Sequence, residues 1–563
     1  MTSRREFLAT SAALYGASAF GGTARAASAF GSADTIITGG TFITMESDTA
    51  ATEALAIKNG RILAVGTAAE IDPLAGPATQ RIDARGLTIV PGFIDAHSHP
   101  MMANEAISTD VNFRTIDEVI ESLRKRAANT PAGHWVLGHM YDDTKFVEGR
   151  PLLRTDLDKV SRDHPIFVRH RGGHTAVINS KGFEIAKLTI DTPDPDGGKF
   201  YRDNGQFTGK VAELALDVFE QVGVWPKIDR ETLARNAELI TRRMAATGLT
   251  STTDAFGTMP SWLAYSDCHR DETLSCRIDF MPSSSAWQGE DASCYELFKR
   301  AGILSGFGDD MLKVGAVKFA ADGSASERTM RMSTPYKDRP DDYGILTMTA
   351  DALDDAVSGA YEAGFRVGVH ANGDVTIDMV LDSYEKLLRG NTGRNTRLRI
   401  EHCSLVNPSI LKRMKDLGVI PTPFYTYAHY HGEKWHEYGP EKMEWMFAHK
   451  SMLDAGIPVA PASDFTPGPY EPLMALQSLV TRKDLQGNVW GPSQRVSMME
   501  AMTICTRNGA YASFDENKKG SLRAGKLADI VLLSDNPFSV DPDALQDIQI
   551  IRTIMNGRTV FEA

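Results

Sequence analysis

Two histidines, one residue apart at the end of a short apolar run, constrain this chain more than any other feature. The run Val90-Pro91-Gly92-Phe93-Ile94-Asp95-Ala96-His97-Ser98-His99-Pro100 opens on a Pro-Gly turn and ends at a proline. Because side chains alternate across a β-strand, His97 and His99 point the same way, close enough for both imidazoles to reach one metal ion. Pro100 cannot extend a strand ladder, so the pair falls at the strand's carboxyl end. The alternative is a solvated strand that binds nothing.

The middle of the chain, residues 91–506, alternates short apolar runs with helical stretches. The helical pattern from 350 to 363, for example, precedes the run Arg366-Val367-Gly368-Val369. This alternation favours a parallel sheet with helices, and a closed (β/α)₈ barrel above all. Residues 105–220 are long and irregular for one connection and include the turn-rich run 191–198. We interpret them as an insertion that covers the barrel mouth.

The two ends of the chain share a sequence pattern typical of short strands separated by Gly and Asn. Residues 34–45 suggest a hairpin, Asn59-Gly60 between two β-rich runs predicts a clearer one, and residues 82–90 suggest another strand pair. Isolated hairpins are marginal, so we expect residues 33–90 and 507–563 to meet in one small β-sandwich.

The N-terminus has the pattern of a targeting signal. Ser3-Arg4-Arg5-Glu6-Phe7-Leu8 is a twin-arginine pattern, followed by a weakly apolar segment and Ala24-Arg25-Ala26. We interpret residues 1–26 as a signal peptide of the twin-arginine type, cleaved after Ala26, which predicts a periplasmic enzyme exported already folded. A disordered basic N-terminus is the alternative.

Composition narrows the classes of partner and fold. The 563 residues suffice for one large domain plus a small one, and the formal net charge of −13 disfavours nucleic acid and anionic membrane surfaces as partners. No apolar run after the signal segment approaches the length of a membrane span. The five cysteines form no CxxC pair, so we expect packing residues rather than a disulfide framework, with one bridge among Cys268, Cys276 and Cys294 left open.

Four more polar residues each follow an apolar run, as barrel enzymes place their site residues. They are Lys318, His370, His402 and Asp464. Taken singly, a lysine after a strand is usually solvated and a lone histidine is usually a satisfied core or loop residue. Together with His97 and His99, the set predicts one metal site.

These motifs resemble the amidohydrolase superfamily, and more narrowly amidohydrolase family 3, the branch that includes N-substituted formamide deformylase. The resemblance runs from about residue 34 to 563. It rests on Pro91-Gly92-Phe93-Ile94-Asp95-Ala96-His97-Ser98-His99, Lys318-Phe319-Ala320-Ala321-Asp322-Gly323-Ser324, His370-Ala371-Asn372-Gly373-Asp374, Arg399-Ile400-Glu401-His402 and Ser463-Asp464. It implies a distorted TIM barrel with a small β-sandwich, and six metal ligands that follow strands 1, 4, 5, 6 and 8: His97, His99, Lys318, His370, His402 and Asp464.

The resemblance also implies roles within this set. Lys318 is carbamylated in many relatives, where it bridges two metals; unmodified it is a cation, and one metal or a weakly filled second site follows. Imidazoles with a carboxylate favour zinc, as one or two ions. Asp464 is the expected general base, and His174 is expected to contact substrate or the oxyanion. Asp374 is expected to orient a ligand. The aromatic stretch 424–435 lines a pocket or packs in the core.

The sequence therefore predicts a metal-dependent hydrolase of a small molecule, acting on a C–N bond other than a peptide bond, such as that of a linear amide or N-acyl or N-formyl compound. A deaminase or an ester hydrolase would use the same metal and base. A catalytically silent barrel would serve for binding, but that predicts degraded ligand positions, and all six are intact. A G-x-S-x-G elbow is absent, which disfavours a serine hydrolase. A homodimer is left open.

Overall fold

The computed structural model describes residues 31–46, 52–102, 106–286, 291–389 and 395–563. The twin-arginine segment and its cleavage site lie outside these residues. The β-strands are β1 (Thr35–Thr38), β2 (Thr41–Phe42), β3 (Ala54–Lys58), β4 (Arg61–Gly66), β5 (Gln80–Asp83), β6 (Thr88–Pro91), β7 (Phe93–Ser98), β8 (Ser108–Asp110), β9 (Val136–Tyr141), β10 (Ile166–His170), β11 (Thr175–Ile178), β12 (Gly198–Asp203), β13 (Gln206–Glu213), β14 (Leu249–Gly257), β15 (Arg277–Pro282), β16 (Leu312–Val314), β17 (Ala316–Ala320), β18 (Arg366–Ala371), β19 (Arg399–His402), β20 (Ile420–Thr422), β21 (Ile530–Leu533), β22 (Ile550–Met555) and β23 (Arg558–Glu562).

Helices alternate with the strands in the middle of the chain. The helices of eight or more residues are α1 (Ile116–Ala127), α2 (Arg230–Ala246), α3 (Met259–Arg270), α4 (Cys294–Ala301), α5 (Ala350–Glu362), α6 (Asp374–Arg389), α7 (Pro408–Leu417) and α8 (Pro472–Thr481). Shorter ones are Ala68–Ile71, Arg154–Leu157, Ser180–Ile185, Asp217–Glu220, Tyr427–Tyr430, Gly439–Met443, His449–Asp454, Met498–Thr503 and Gly509–Ala512. Side chains that cap helix N-termini, such as Thr115 before α1 and Asp229 before α2, explain where several of them begin.

Two four-stranded parallel sheets hold the predicted site residues. Their strand orders are β16-β15-β14-β7 and β17-β18-β19-β20. A parallel bridge between Ser283 and Lys318 links the sheets at one junction. At the other, the segment 460–464 donates backbone hydrogen bonds to both sheets: Ala460 N donates to Pro421 O at 3.0 Å, and Asp464 N donates to His97 O at 2.8 Å.

Strands from both chain ends share one apolar core. In the five-stranded sheet β2-β6-β21-β22-β23, the C-terminal β21 pairs antiparallel with the N-terminal β6, with Val531 opposite Val90. The second sheet, β4-β3-β1-β5, contributes Ile37, Leu55 and Ile57 to the same buried cluster. The domain boundaries themselves stay a prediction.

One of the three N-terminal pairings predicted from sequence is confirmed and two are wrong. β3 and β4 form the hairpin around Asn59-Gly60, whose φ angles of 49° and 74° suit a tight turn. Residues 34–45 form no hairpin, because Gly39-Gly40 carries the chain from one sheet to the other. A Cβ at Gly40 would lie 2.2 Å from the Ile89 side chain, so only glycine passes there. Residues 82–90 likewise divide between the two sheets.

Residues 105–220 are more regular than the sequence suggested. They build a six-stranded mixed sheet, β12-β13-β11-β10-β9-β8, which we call the insertion sheet. Separate apolar clusters cover its two faces, one around Val168 and Val177 and one around Phe167 and Phe200. The turn-rich composition had concealed these strands, the central two of which, β10 and β11, are buried along nearly their whole length.

Two further predictions can be compared with the structure. All five cysteines are buried and free, which confirms that they pack rather than form a disulfide framework. Among the described residues, no helix combines the length and the apolar character that crossing a bilayer requires.

A buried ion pair ties the strands of the chain ends to the parallel sheets. Arg277, at the start of β15, donates from Nε and Nη2 to the two carboxylate oxygens of Asp529, both at 2.8 Å. Asp529 also accepts the backbone N–H of Asn556 at 2.9 Å, and both charged side chains are almost fully buried. Its geometry is the bidentate fork that makes arginine–carboxylate pairs strong.

We expect Asp529→Asn to lower the free energy of unfolding by roughly 3–5 kcal/mol, because the change leaves a buried guanidinium without its counter-charge. Asp416→Asn is the control: its partner Lys412 lies one helical turn away on an exposed surface, where loss of a pair costs roughly 0.5 kcal/mol or less. Urea denaturation of the two variants beside the parent measures the difference. Equal midpoints for the two variants would contradict the assignment.

Candidate metal centre

His97 and His99 project together from the end of β7. Their ring centroids lie 5.2 Å apart, as the alternation of the strand predicted. Both approach the same oxygen of Asp464: His99 Nε2 lies 3.0 Å and His97 Nε2 3.4 Å from Oδ1. The carboxylate is therefore shared by two imidazoles that are nearly or fully buried.

The other predicted ligands join the same cluster. His402 lies 4.5 Å from His97 and 4.4 Å from His370, measured between ring centroids. Lys318 Nζ lies 3.3 Å from His97 Nε2. One ligand atom each of His97, His402 and Asp464 lie within 4.8 Å of one another, a spacing that could hold a metal ion. The structure brings all six predicted residues together.

The backbone is strained at two of these positions. His402 has φ of 71° and Asp464 has φ of 53°, in the left-handed region that residues other than glycine seldom adopt. Such conformations cost of order 1–3 kcal/mol and persist where the surroundings fix them. They turn both side chains back toward the cluster at the ends of their strands.

A buried carboxylate behind the cluster sets the orientation of His97. Glu401 accepts a hydrogen bond from His97 Nδ1 at 2.5 Å and another from Thr422 Oγ1 at 2.8 Å. Arg399 donates to both oxygens of Glu401, at 2.7 and 2.8 Å. Burial alone would raise the pKa of Glu401, but the Arg399 charge and the His97 bond hold it well below its usual range. His97 thus keeps its hydrogen on Nδ1 and presents the Nε2 lone pair to the cluster.

His370 is oriented by backbone rather than by Asp374. Its Nε2 lies 3.1 Å from the Gly323 carbonyl oxygen and 3.0 Å from Asn372 Nδ2, and that amide also donates to the Gly323 oxygen at 2.9 Å. The loop is held by Asp322, which accepts the backbone N–H groups of Asn372 and Gly373 at 2.9 Å each. The expectation for Asp374 is wrong: it accepts a hydrogen bond from Ser333 N at 2.9 Å, because its place at the start of α6 turns it outward.

Asp95 links β7, which carries His97 and His99, to the segment that carries Asp464. It accepts the backbone N–H groups of His97 and Ser463, both at 3.1 Å, and the Ser463 hydroxyl at 2.5 Å. Burial raises the pKa of Asp95 to about 6. Because Ser463 precedes Asp464, this carboxyl fixes the approach of Asp464 to the two histidines.

Burial sets the protonation of the cluster. It lowers the pKa of His99 to about 4 and those of His370 and His402 well below their usual range, so their lone pairs are free at neutral pH. Burial also lowers the pKa of Lys318 to about 8. Burial alone would raise the pKa of Asp464, but the three histidines around it lower it well below the ordinary value, so it is a carboxylate.

The insertion sheet supplies His174 at the edge of the cluster. Its ring lies 4.9 Å from that of His370, and its Nδ1 lies 2.8 Å from Glu213 Oε2. Burial alone would lower the pKa of His174, but the Glu213 charge raises it to about 9, so the imidazole is a cation at neutral pH. Its role stays a prediction, and sequence reasoning missed its partner Glu213.

The aromatic stretch 424–435 packs beside the metal centre. Phe424 stacks on His402 with ring centroids 4.7 Å apart, and Tyr427 stacks on Phe424 at 3.7 Å. The Tyr427 hydroxyl donates to Asp464 Oδ2 at 3.0 Å. Trp435, by contrast, is fully buried and donates to the Tyr427 carbonyl. Phe424, Tyr427 and Trp435 belong to one buried apolar cluster, which supports the core-packing interpretation, and the pocket interpretation stays a prediction.

Asp142, Asp143 and His170 form a second group whose ligand atoms lie close together. Its carboxylates are already neutralised: Asp142 lies 3.1 Å from Lys434 Nζ, and Asp143 pairs with Arg328. These pairs fasten the insertion sheet to the segments that follow the parallel strands. In this structure the group therefore serves to join two parts of the chain by ion pairs.

Comparison with known proteins agrees with the geometry. The model of a family described as "Amidohydrolase family" matches residues 80–561. N-substituted formamide deformylase of Arthrobacter pascens is 29% identical over 544 residues, 92% of this chain and 96% of that protein. Protein LONG AFTER FAR-RED 3 of Arabidopsis thaliana is 29% identical over 557 residues, 94% of this chain and 92% of that protein.

A solved structure has a similar overall fold. The crystal structure of an uncharacterized metal-dependent hydrolase from Pyrococcus furiosus superposes with a TM-score of 0.68 at 25% identity, over 90% of this chain and 100% of that one. The α/β fold is thus of the TIM-barrel type. With a family model that spans most of its length, the chain belongs to the amidohydrolase family and is an amidohydrolase.

Proposed function

We propose that this amidohydrolase uses a divalent cation to hydrolyse the C–N bond of a linear amide or of an N-acyl or N-formyl compound, with Asp464 as general base. The observation that carries the proposal is the sharing of Asp464 Oδ1 between His97 and His99, within a cluster of four imidazoles. We infer as well that the parallel strands and the segment 460–464 form one distorted (β/α)₈ barrel, with a β-sandwich from both chain ends.

The residues present suit a metal ion. The buried Nδ1 atom of His402 has no hydrogen-bond partner among the described residues, and an unpaired buried nitrogen is costly unless something else occupies it. Imidazoles with one carboxylate are the ligands that zinc prefers. His97, His99, His370, His402 and Asp464 would hold the ion, joined by Lys318 if it is carbamylated. The ion supplies Lewis acidity, which polarises a carbonyl and makes water a stronger acid.

The protein's own groups then divide the work. Asp464 takes a proton from the attacking water as the new C–O bond forms, and passes it to the nitrogen as the C–N bond breaks. The Tyr427 hydroxyl holds Asp464 Oδ2, which leaves Oδ1 toward the cluster. The cationic His174 lies where it can stabilise negative charge on the carbonyl oxygen. Phe424 and Tyr427 would line one side of the substrate position.

The name of the relative from Arthrobacter pascens favours an amide or formamide over the alternatives. A deaminase or an ester hydrolase would use the same groups. A silent barrel would not keep the orienting contacts of Glu401 and Asp95 around intact ligand positions. The twin-arginine pattern of residues 3–8 supports export to the periplasm as part of this proposal.

The test is metal content with a substrate panel. We expect the purified protein to contain one or two divalent ions per chain by elemental analysis, to lose activity on chelation, and to regain it when zinc is returned. The panel pairs linear amides and N-formyl amines with cyclic amides, esters and aminopurines. Full activity after complete metal removal would contradict the proposal, and turnover of esters or aminopurines alone would favour the alternatives.

We expect Asp464→Asn to lower kcat by about 10²- to 10⁴-fold, because the amide cannot accept the proton of the attacking water. Three imidazoles in contact with this position remain, so the variant should still bind metal. Asp374→Asn is the matched control, since Asp374 contacts Ser333 and lies away from the cluster. Elemental analysis and kcat are measured on all three proteins. An Asp464→Asn enzyme with parental kcat would refute the role.

Lys318 should take up CO₂ readily. A carbamate forms from the neutral amine, and with its pKa lowered to about 8, roughly one Lys318 in ten is neutral at pH 7, against about one in three thousand for an ordinary lysine. We expect apo-protein reconstituted with zinc in bicarbonate to bind two ions, and in CO₂-free buffer fewer. At a fixed concentration of dissolved CO₂, the rate of uptake should rise with pH up to about 8 and level off above it, because the neutral fraction of Lys318 then saturates.

Lys318→Met provides the control for this prediction, because it has no amine to modify. Its metal content should be the same with and without bicarbonate. Two ions per chain in the parent protein under CO₂-free conditions would show that the second ion does not depend on the carbamate.

A further inference from the structure

Arg171 is a buried arginine without a carboxylate partner. Arg171 is only 5% exposed, and no carboxylate of the described residues lies within ion-pair distance of its guanidinium. Nη1 donates to the Tyr430 hydroxyl oxygen at 3.0 Å, the guanidinium lies over that ring at 4.8 Å, and Nε is buried with no hydrogen bond. Other buried arginines of this chain are neutralised or saturated: Arg277 by Asp529, Arg328 by Asp143, Arg399 by Glu401, and Arg482 by backbone carbonyls.

A second cation without an acidic partner lies beside it. Lys145 Nζ lies 3.5 Å from the same Tyr430 hydroxyl oxygen and 4.6 Å from the ring centroid, with no carboxylate of the described residues in ion-pair range. The phenol oxygen thus accepts from Arg171 on one side and faces Lys145 on the other. Two positive charges and one hydroxyl therefore converge, and neither cation makes an ion pair with a carboxylate of the described residues.

This group of cations adjoins the metal centre. The Arg171 carbonyl accepts a hydrogen bond from Thr466, two residues after Asp464. Tyr430 ends the helical turn that begins at Tyr427, whose hydroxyl donates to Asp464. His174 follows three residues after Arg171 on the same loop. Arg171 is therefore connected to the residues around Asp464 by its backbone, by its contact with Tyr430 and by the loop that it shares with His174.

A buried cation with unused N–H groups is costly by itself and favours an anion from outside. The guanidinium fork matches a carboxylate with two parallel hydrogen bonds. Divalent cations in the neighbouring cluster would add positive charge and strengthen the preference. We propose that Arg171, assisted by Lys145 and Tyr430, binds a carboxylate of the substrate, so that the enzyme acts on N-acyl compounds that carry a carboxylate, such as N-acyl amino acids. This proposal rests on the proposed function.

The test compares two compounds that differ only in that carboxylate: N-formylphenylalanine, in both enantiomers, and N-formylphenethylamine. For the zinc-loaded parent enzyme we expect kcat/KM to be about 10- to 100-fold higher for the carboxylated compound, the range typical of a charged hydrogen bond. Arg171→Gln should bring this ratio close to one, and Arg171→Lys should give an intermediate ratio because it keeps the charge and loses the fork. Arg124→Gln removes an exposed arginine of the same insertion and should leave the ratio unchanged.

Two outcomes would overturn the proposal: a parental ratio near one, or an equal loss for both compounds in Arg171→Gln, which would indicate that Arg171 only supports Tyr430. Tyr430→Phe examines that structural role directly, since it removes the hydrogen bond and keeps the cation; we expect its ratio to stay above one.

A binding measurement separates this proposal from the proposed function. N-formylphenylalanine should raise the Tm of the parent protein and not that of Arg171→Gln at equal metal content. Turnover of the neutral compound without a carboxylate preference would leave the hydrolase standing and remove the Arg171 site. Stabilisation by the carboxylated compound, dependent on Arg171 but without turnover of either compound, would support the site and count against the hydrolase.

Discussion

The contact between Glu401 and His97 is the interaction on which the rest of the site depends. A carboxylate is kept ionised in a fully buried position only because Arg399 and Thr422 saturate it, and it in turn decides which nitrogen of His97 faces the cluster. The charge is expensive to bury, and its partners are arranged before any substrate arrives. That arrangement lets His97 approach Lys318 and Asp464 with a lone pair.

The shared edge of the parallel strands brings these groups together. Parallel strands end together at one edge of a sheet, so residues hundreds of positions apart meet when each directly follows its strand. The positions of the strand ends alone do not fix the directions of the side chains. Asp95 corrects this by joining the β7 end to Ser463, and the left-handed backbone of His402 and Asp464 turns both side chains inward. Rigid positions of this kind are what preorganised catalysis requires.

The sequence predicted the six clustered residues well because each carries a local signal, a polar group at the end of an apolar run. It could not predict Glu213 beside His174, or that Arg171 lacks an acid, because such pairings join strands and loops far apart in the chain. Glu401 had a readable signal: Arg399 and Glu401 alternate on one face of a buried strand, where charges need partners. The hairpin expected at residues 34–45 failed because turn residues show that the chain turns, but not which sheet it enters.

The parallel strands and the insertion contribute different groups to the proposed site. The strands and the segment 460–464 contribute Asp464, the imidazoles that suit a metal, and the Glu401–Arg399 pair that orients His97. The insertion contributes His174, which is paired with Glu213, and the cations Arg171 and Lys145, which both contact Tyr430. Under the two proposals, the first set of groups breaks the bond and Arg171 with Lys145 recognises charge. The ion pairs Asp142–Lys434 and Asp143–Arg328 hold the insertion without using Asp464 or its histidines, so a substitution of Arg171 can alter substrate preference while those groups stay in place.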